Sequence, residues 1–456
     1  MKKKFSLWLN IVTICLCVCA IAIGVYAASS ASLTASGTIG FTAHGVEMTI
    51  EGTIMGYVTD PDDAGTYVST PKALTESGNN LTFPESAYFT DLVEDKVSDI
   101  TIEITVKHTS AYPIEVSLLI DDSVPSNISF DITNQVQTLQ ASSDGTTEVP
   151  GTITIVMNLH DANTDITPSA NNLKLTVYAE KEQLVRTDET KGDYVVMGHK
   201  LVNNEVKPVR WFPFAKTADN GTTWTKFNSA TDKLAADDLG KGNYYFVSEY
   251  VLDVGTINEG KWSYANGVAY NNTYKNTSPY LDVEYDTLSA NNYLSSNIRQ
   301  FLKGNTVQKL GQYNSTDKVY ETSGEYVNLY TSYALGGSVY DKITARTASD
   351  LYETDTAGNT YDTINTKYTE LTTEDNASDK LWLLSKSDLT NLPNVESNSS
   401  DTDLITATFR SEVNCGWWLR SPSAGSVISA WSVYPTGSVN AIEVIVPCGV
   451  RPAFEI

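Results

Sequence analysis

The sequence predicts a multidomain, β-rich chain in which an N-terminal antiparallel β-sandwich is followed by an α+β domain. Three observations carry this. Apolar and polar residues alternate with period two in one run after another before residue 180. Every Trp except Trp8 lies beyond residue 200, as do most of the Tyr residues. An apolar stripe at helical spacing occurs only in the second half. At 456 residues the chain is also too long for one ordinary domain.

The elements follow in order. Lys2, Lys3 and Lys4 form a basic start, Phe5 to Tyr26 is an apolar run, and Val25-Tyr26-Ala27 offers a signal-peptidase site. Residues 1–27 are therefore read as a signal peptide cleaved after Ala27, which makes the protein secreted or displayed on the cell surface. Kept uncleaved, the run is long enough to anchor the chain, since about 20 apolar residues span a bilayer. That is the one route to membrane attachment.

Residues 28–180 are expected to form the sandwich. Ile100, Ile102, Ile104 and Val106 alternate with Thr101, Glu103, Thr105 and Lys107, which places one face in a core and the other in water. Ile114 to Ile120, Val46 to Ile50, Ile153 to Leu159 and Leu173 to Val177 repeat the pattern. Turn formers separate the runs, at residues 60–65 and at Ser143-Asp144-Gly145. About seven such strands in one domain suit a sandwich. The charged stretch 181–191 reads as a linker. In the second domain, 192–456, Tyr244-Tyr245-Phe246-Val247 and Leu381-Trp382-Leu383-Leu384 are buried-strand candidates. Leu294, Ile298, Phe301 and Leu302 predict a helix, with Ser295 or Ser296 to cap it and Gly304 to end it. Tyr313 to Asn376 reads as surface loops.

Composition excludes several functions. Lys and Arg number 31 against 55 Asp and Glu, giving −24, and the leader holds three of the lysines. So acidic a body repels phosphate backbones and anionic headgroups, so no nucleic-acid partner is expected. His44, His108, His160 and His199 stand far apart, without a second ligand at zinc spacing. Asp161-Ala162-Asn163-Thr164-Asp165 begins like a calcium loop, but Ile166 takes the glycine position and Asn172 the place of the bidentate Glu. Ser315-Thr316-Asp317-Lys318 matches a serine-lysine pair by letter but lies among turn formers. No metal, no cofactor and no catalytic residue is assigned. The carboxylates are scattered, with nothing to select a glycosidase pair.

The most informative residues are Cys415-Gly416-Trp417-Trp418-Leu419-Arg420-Ser421-Pro422 and Gly449-Val450-Arg451-Pro452-Ala453-Phe454, together with Ser296 to Leu302 and Leu381 to Ser385. In combination they resemble an uncharacterised domain family of exported Gram-positive proteins. That family looks like a branch of the C-type-lectin-like fold, related to formylglycine-generating enzymes and to retroelement-diversified proteins. The resemblance covers roughly Gly192 to Ile456. The N-terminal half resembles small secreted Gram-positive β-sandwich proteins, whose export signal runs straight into a first strand.

The resemblance implies structural roles for Trp417, Trp418, Arg420, Trp431, Gly449, Arg451 and Pro452. Two adjacent Trp on a strand point to opposite faces, so one is expected in the core and the other under a loop or at a surface. It implies that Cys415 and Cys448 lie close enough to form a disulfide; the sequence by itself also allows two independent small apolar residues. Between the motifs, Ala430, Trp431, Val433, Gly437, Val439 and Val444 read as a frame. Tyr434, Ser432, Asn440, Ile442, Glu443 and Ile445 read as the ligand-facing set, with Tyr434 and Ser432 outward and Trp431 supporting from beneath. An ordinary edge strand and hairpin is the alternative.

The function expected is a non-enzymatic binding or adhesion protein: a β-sandwich stalk presenting a lectin-like head to a protein or glycan ligand, with a binding surface that genetic diversification could vary. A matrix or pilus-like component built by the sandwich is the alternative. A secreted carboxylate-dependent hydrolase is the third.

Overall fold

The computed structural model describes residues 33–34, 36–59, 67–77, 80–83, 88–89, 99–120, 128–159, 172–202, 205–217, 224–252, 293, 296–305, 307–314, 319–326, 329–345, 379–386, 388–391, 416–423, 429–434, 437–444 and 446–456. The chain is mostly strand, in several largely antiparallel sheets, with few and short helices. It divides into two compact units: Met1–Lys181 with Leu201–Asn204, and Glu182–Lys200 with Glu205–Ile456. The leader, the residue 60–65 turn, the calcium-like stretch at 161–165 and Ser315 to Lys318 lie outside the described residues. Among the described residues no helix is long and apolar enough to cross a membrane.

The first unit contains β1 (Ser36–His44), β2 (Met48–Met55), β3 (Ile100–His108), β4 (Ile114–Ile120), β5 (Ile128–Thr133), β6 (Val136–Leu139), β7 (Val149–Leu159) and β8 (Asn172–Lys181). A five-stranded sheet runs β5-β7-β3-β2 and ends on Lys72–Ala73. A six-stranded sheet runs β6-β4-β8-β1 and continues through Asn80–Thr82 and Thr75–Ser77. One apolar core draws on both: Ile102, Ile104, Ile153 and Ile155 from the first, Val116, Leu118, Leu175 and Val177 from the second.

In β3 the expected alternation appears residue by residue, with Ile100, Ile102, Ile104 and Val106 buried and Glu103 exposed. In β4 it does not, because Ser117 and Leu119 are buried as well as Val116 and Leu118. The sheet is not purely antiparallel either. β1 pairs with β8 in parallel, Ile39 opposite Leu175. Val46 is buried but precedes β2 instead of belonging to it.

The second unit starts inside the stretch read as a linker: β9 (Arg186–Asp188) pairs with β10 (Gly192–Val202). β11 (Glu205–Thr217) and β12 (Tyr244–Ser248) follow. Next comes α1 (Asn297–Leu302), then a hairpin of Val307–Asn314 with Val319–Tyr326, and then α2 (Leu329–Tyr333) and α3 (Gly337–Asp341). Of the region read as loops, the described part up to residue 345 therefore contains regular elements, and residues 346–376 lie outside the described residues. The rest is β13 (Trp382–Leu383), β14 (Trp417–Pro422), β15 (Ser429–Val433), β16 (Val439–Glu443) and β17 (Pro452–Glu455).

The large sheet runs β9-β10-β11-β12-β17-β13, with Trp224–Lys226 paired to β11; β14-β15-β16 form a separate small one. Its core is aromatic: Phe454 stacks on Phe246 at 5.2 Å between ring centroids and lies 5.0 Å from Trp211.

Candidate functional site

The segments that singled themselves out in sequence meet in the second unit. Trp417 bridges Gly449 in parallel, and the Trp418 amide donates to the Gly449 carbonyl at 3.0 Å. The Arg420 amide donates to Leu384 O at 2.9 Å, and β13 pairs with β17 through Trp382–Ala453 and Leu383–Pro452. Pro452 opens its strand, a position where a missing amide is tolerated. β14 is thus flanked by backbone on both edges, by β15 on one side and by residues 384 and 449 on the other. Trp417 and Trp418 are both 0% exposed and belong to the hydrophobic core. The expectation that one Trp could line a surface is corrected, because opposite faces of this strand are both interior.

Three arginines fasten the arrangement. Arg299 on α1 forks onto Asp379, Nε to Oδ2 at 2.8 Å and Nη2 to Oδ1 at 3.1 Å, with both side chains buried. Arg420 Nη1 donates to Leu383 O at 2.6 Å and to Asp388 Oδ2 at 2.7 Å. Arg451 is 0% exposed, donates to Ser248 O at 2.9 Å and lies over the Trp417 ring at 5.1 Å. Burial pushes the Arg451 guanidinium down to about 9, against the pull of Glu249, so it stays cationic at neutral pH. Buried charges are tolerable only when their hydrogen-bonding capacity is used in this way. Trp417, Trp418 and Arg451 are fully buried, and Arg420 is 8% exposed.

The motif search overlooked a second charged cluster. Arg210 forks onto Glu249 at 2.6 Å through both Nε and Nη2, reaches Asp188 at 2.9 Å, and leaves Glu249 to accept from Lys191 at 2.7 Å. Burial pulls the Arg210 guanidinium down, but the Glu249 charge and hydrogen bonds outweigh it and leave it raised. The Thr190 hydroxyl and the amides of Thr190 and Lys191 hold the Asp188 carboxyl well below the usual range despite partial burial. These residues come from three separate stretches, 188–191, Arg210 and Glu249, and no spacing in the chain announces their meeting.

The ligand-facing set falls on the small sheet, where residues directly opposite each other share a face. The register pairs Trp417 with Val433, Val433 with Val439, Trp431 with Ala441 and Ser429 with Glu443, which defines one face. Trp418, Ser432 and Asn440, with Ala430 and Ile442, define the other. Ser432 is 1% exposed and its hydroxyl donates to Asn440 O at 3.2 Å. It sits on the central strand beside buried Trp418 and Ala430, so the expectation that Ser432 faces outward is corrected. Trp431, expected to support the strand from beneath, packs against the core but is partly exposed.

Asn440 and Glu443 are exposed, on opposite faces of the outer strand β16; Ile442 is partly buried against the core. Tyr434 is half-buried just past β15, its amide donating to Ser438 O at 2.8 Å across the turn that Gly437 makes at φ +82°. Ile445 and Cys415 lie outside the described residues, whereas Cys448 is 1% exposed.

One further contact was invisible in the sequence: the Lys386 ammonium sits 3.5 Å from the centroid of the Trp431 ring. The Lys386 backbone is held by its amide, which donates to Ser421 Oγ at 2.8 Å. The neighbouring turn is closed reciprocally, Asp388 N to Ser385 Oγ at 3.0 Å and Ser385 N to Asp388 Oδ2 at 2.7 Å. That pair has the Ser-x-x-Asp spacing of a capping box, a signal the sequence did contain. Among the described residues no three His, Cys, Asp or Glu side chains gather as they would around a metal ion.

No curated protein and no solved structure matches the chain. Residues 251–456 match a family described as "Domain of unknown function (DUF6273)". The match begins after β12, although β12 supplies the large-sheet neighbour of β17 at the matched end. The C-terminal part of the chain is therefore similar to an uncharacterised domain family whose sheet, in this protein, is completed by strands that precede the match.

Proposed function

We propose that this is an exported or cell-surface binding protein in which a β-sandwich stalk presents a C-type-lectin-like head to a protein or glycan, without catalysis. The observation that supports the reading is the contrast within β14-β15-β16. Its inner strand is clamped by buried Trp and Arg, whereas Asn440 and Glu443 on the outer strand are exposed and Trp431 and Tyr434 are partly exposed. A rigid frame with adaptable polar and aromatic groups at its rim suits recognition, because little entropy is lost when such groups are covered. The basic and apolar first 27 residues support export.

The test is an array of glycans and surface proteins probed with residues 28–456. A retained ligand supports the proposal, and Tyr434→Ala is expected to weaken its capture without lowering Tm. Silence on the array overturns it. Cleavage of an arrayed glycan supports the hydrolase instead, and concentration-dependent fibres support the matrix component.

A further inference from the structure

Trp431 is a partly exposed aromatic ring that already holds a cation. Lys386 reaches it from a different part of the chain, and only the Lys386 backbone is fastened, through Ser421. Lys386 is partly buried and carries its ammonium on a flexible four-carbon stem, so a second ammonium could take its place on the ring without moving the fastened backbone. The residue opposite Trp431 is the exposed Ala441, and the adjacent pair on the same face ends in the exposed Glu443.

An indole face with a nearby carboxylate is chemistry suited to an alkylammonium group. The charge of the whole chain, −24, attracts polycations over distance and disfavours polyanions. We infer that Trp431 and Glu443 form a recognition surface for the lysine side chains of a basic polypeptide segment, with Lys386 as its built-in, displaceable occupant. This rests on the binding-protein reading and names the class of partner.

Displacement costs the ligand whatever the Lys386 contact is worth. An exposed cation–π contact of about 0.5–1 kcal/mol corresponds to about two- to fivefold in affinity.

The probe is hexalysine, titrated calorimetrically at low salt into residues 28–456. Lys386→Met is expected to bind it about two- to fivefold more tightly. In the Lys386→Met background, Trp431→Leu is expected to abolish that gain and Trp431→Phe to reduce it. Circular-dichroism melts check that each variant folds, and the Phe variant keeps the test alive if the Leu variant does not.

An unchanged or weaker affinity in Lys386→Met overturns the proposal. So does a gain that survives Trp431→Leu, which would reflect only the removal of one positive charge from an acidic protein. Tighter binding of a neutral chito-oligosaccharide without tighter binding of hexalysine overturns the ligand class. An arrayed neutral ligand lost in Tyr434→Ala would preserve the binding-protein reading while this inference fails, so the two are separable.

Discussion

Arg299 and Asp379 are the most exacting pair in the second unit, because two charges are held at 1% and 0% side-chain exposure by a two-point fork. Taking one partner away leaves the other charge buried without its counter-ion. Asp379→Asn is expected to destabilise the unit by about 3–5 kcal/mol in denaturant titrations followed by Trp fluorescence. Arg299→Met combined with Asp379→Leu is expected to cost less than Asp379→Asn alone, because no charge is then left buried. In the first unit His108 is 2% exposed and its Nδ1 accepts from the Ser110 amide at 3.1 Å. Burial pushes its imidazole below the ordinary 6.5.

The unfolded chain therefore takes up this proton more readily than the folded one, and the stability that neutral His108 preserves is full above 6.5. It is lost as pH falls from 6.5 through the folded value. Urea melts of residues 28–180 between pH 7 and 5 should show the loss, and His108→Gln should flatten that part of the profile. An equal slope in both proteins would remove His108 as its source.

At the scale of elements, α1 was legible down to its ends. Ser296 Oγ accepts from Arg299 N at 3.2 Å, and Ile298, Phe301 and Leu302 are all 0% exposed. Gly304 takes φ +81°, which lets its own amide reach Phe301 O and that of Asn305 reach Gln300 O, both at 3.0 Å. That double closure needs a left-handed residue, which glycine adopts without steric cost. Ser296→Ala is expected to cost about 1 kcal/mol in the same denaturant titration. β3 was equally legible, because its alternating apolar residues belong to a strand whose two sides have different surroundings. β4 and β14 were not. Ser117, Leu119, Trp417 and Trp418 are buried through contacts with segments distant in sequence, and no local period records a second covering layer. The faces of β15 were separated correctly by period two, but neither is a solvent face. Ala430 and Ser432 are buried on one, Val433 is buried and Trp431 packs partly against the core on the other, and alternation says which residues share a side and not how each side is covered.

For the molecule as a whole, Cys415 and Cys448 pose the sharpest question. Gly449 N donates to Gly416 O at 2.9 Å, and each glycine adjoins one of the cysteines. Cys448 is buried one residue from this contact, and Cys415 lies outside the described residues. Protein collected from an oxidising medium is expected to be lighter by two hydrogen atoms than the reduced chain in intact-mass measurement. Two freely alkylated thiols in folded, unreduced protein would show that they are separate.

Composition and pattern alone determined that the chain is β-rich, changes character near residue 181, is acidic, and carries two Arg-containing motif segments, one of them with paired Trp, near its C-terminal end. These follow from local periodicity and from sums over residues, which need no knowledge of what folds against what. Tertiary structure alone decided the parallel pairing of β1 with β8, the pairing of Arg299 with Asp379, the burial of Ser432 and the seating of Lys386 on Trp431. Each depends on two stretches far apart in sequence meeting at hydrogen-bond or van der Waals distance, and such meetings leave no trace in the spacing of either stretch.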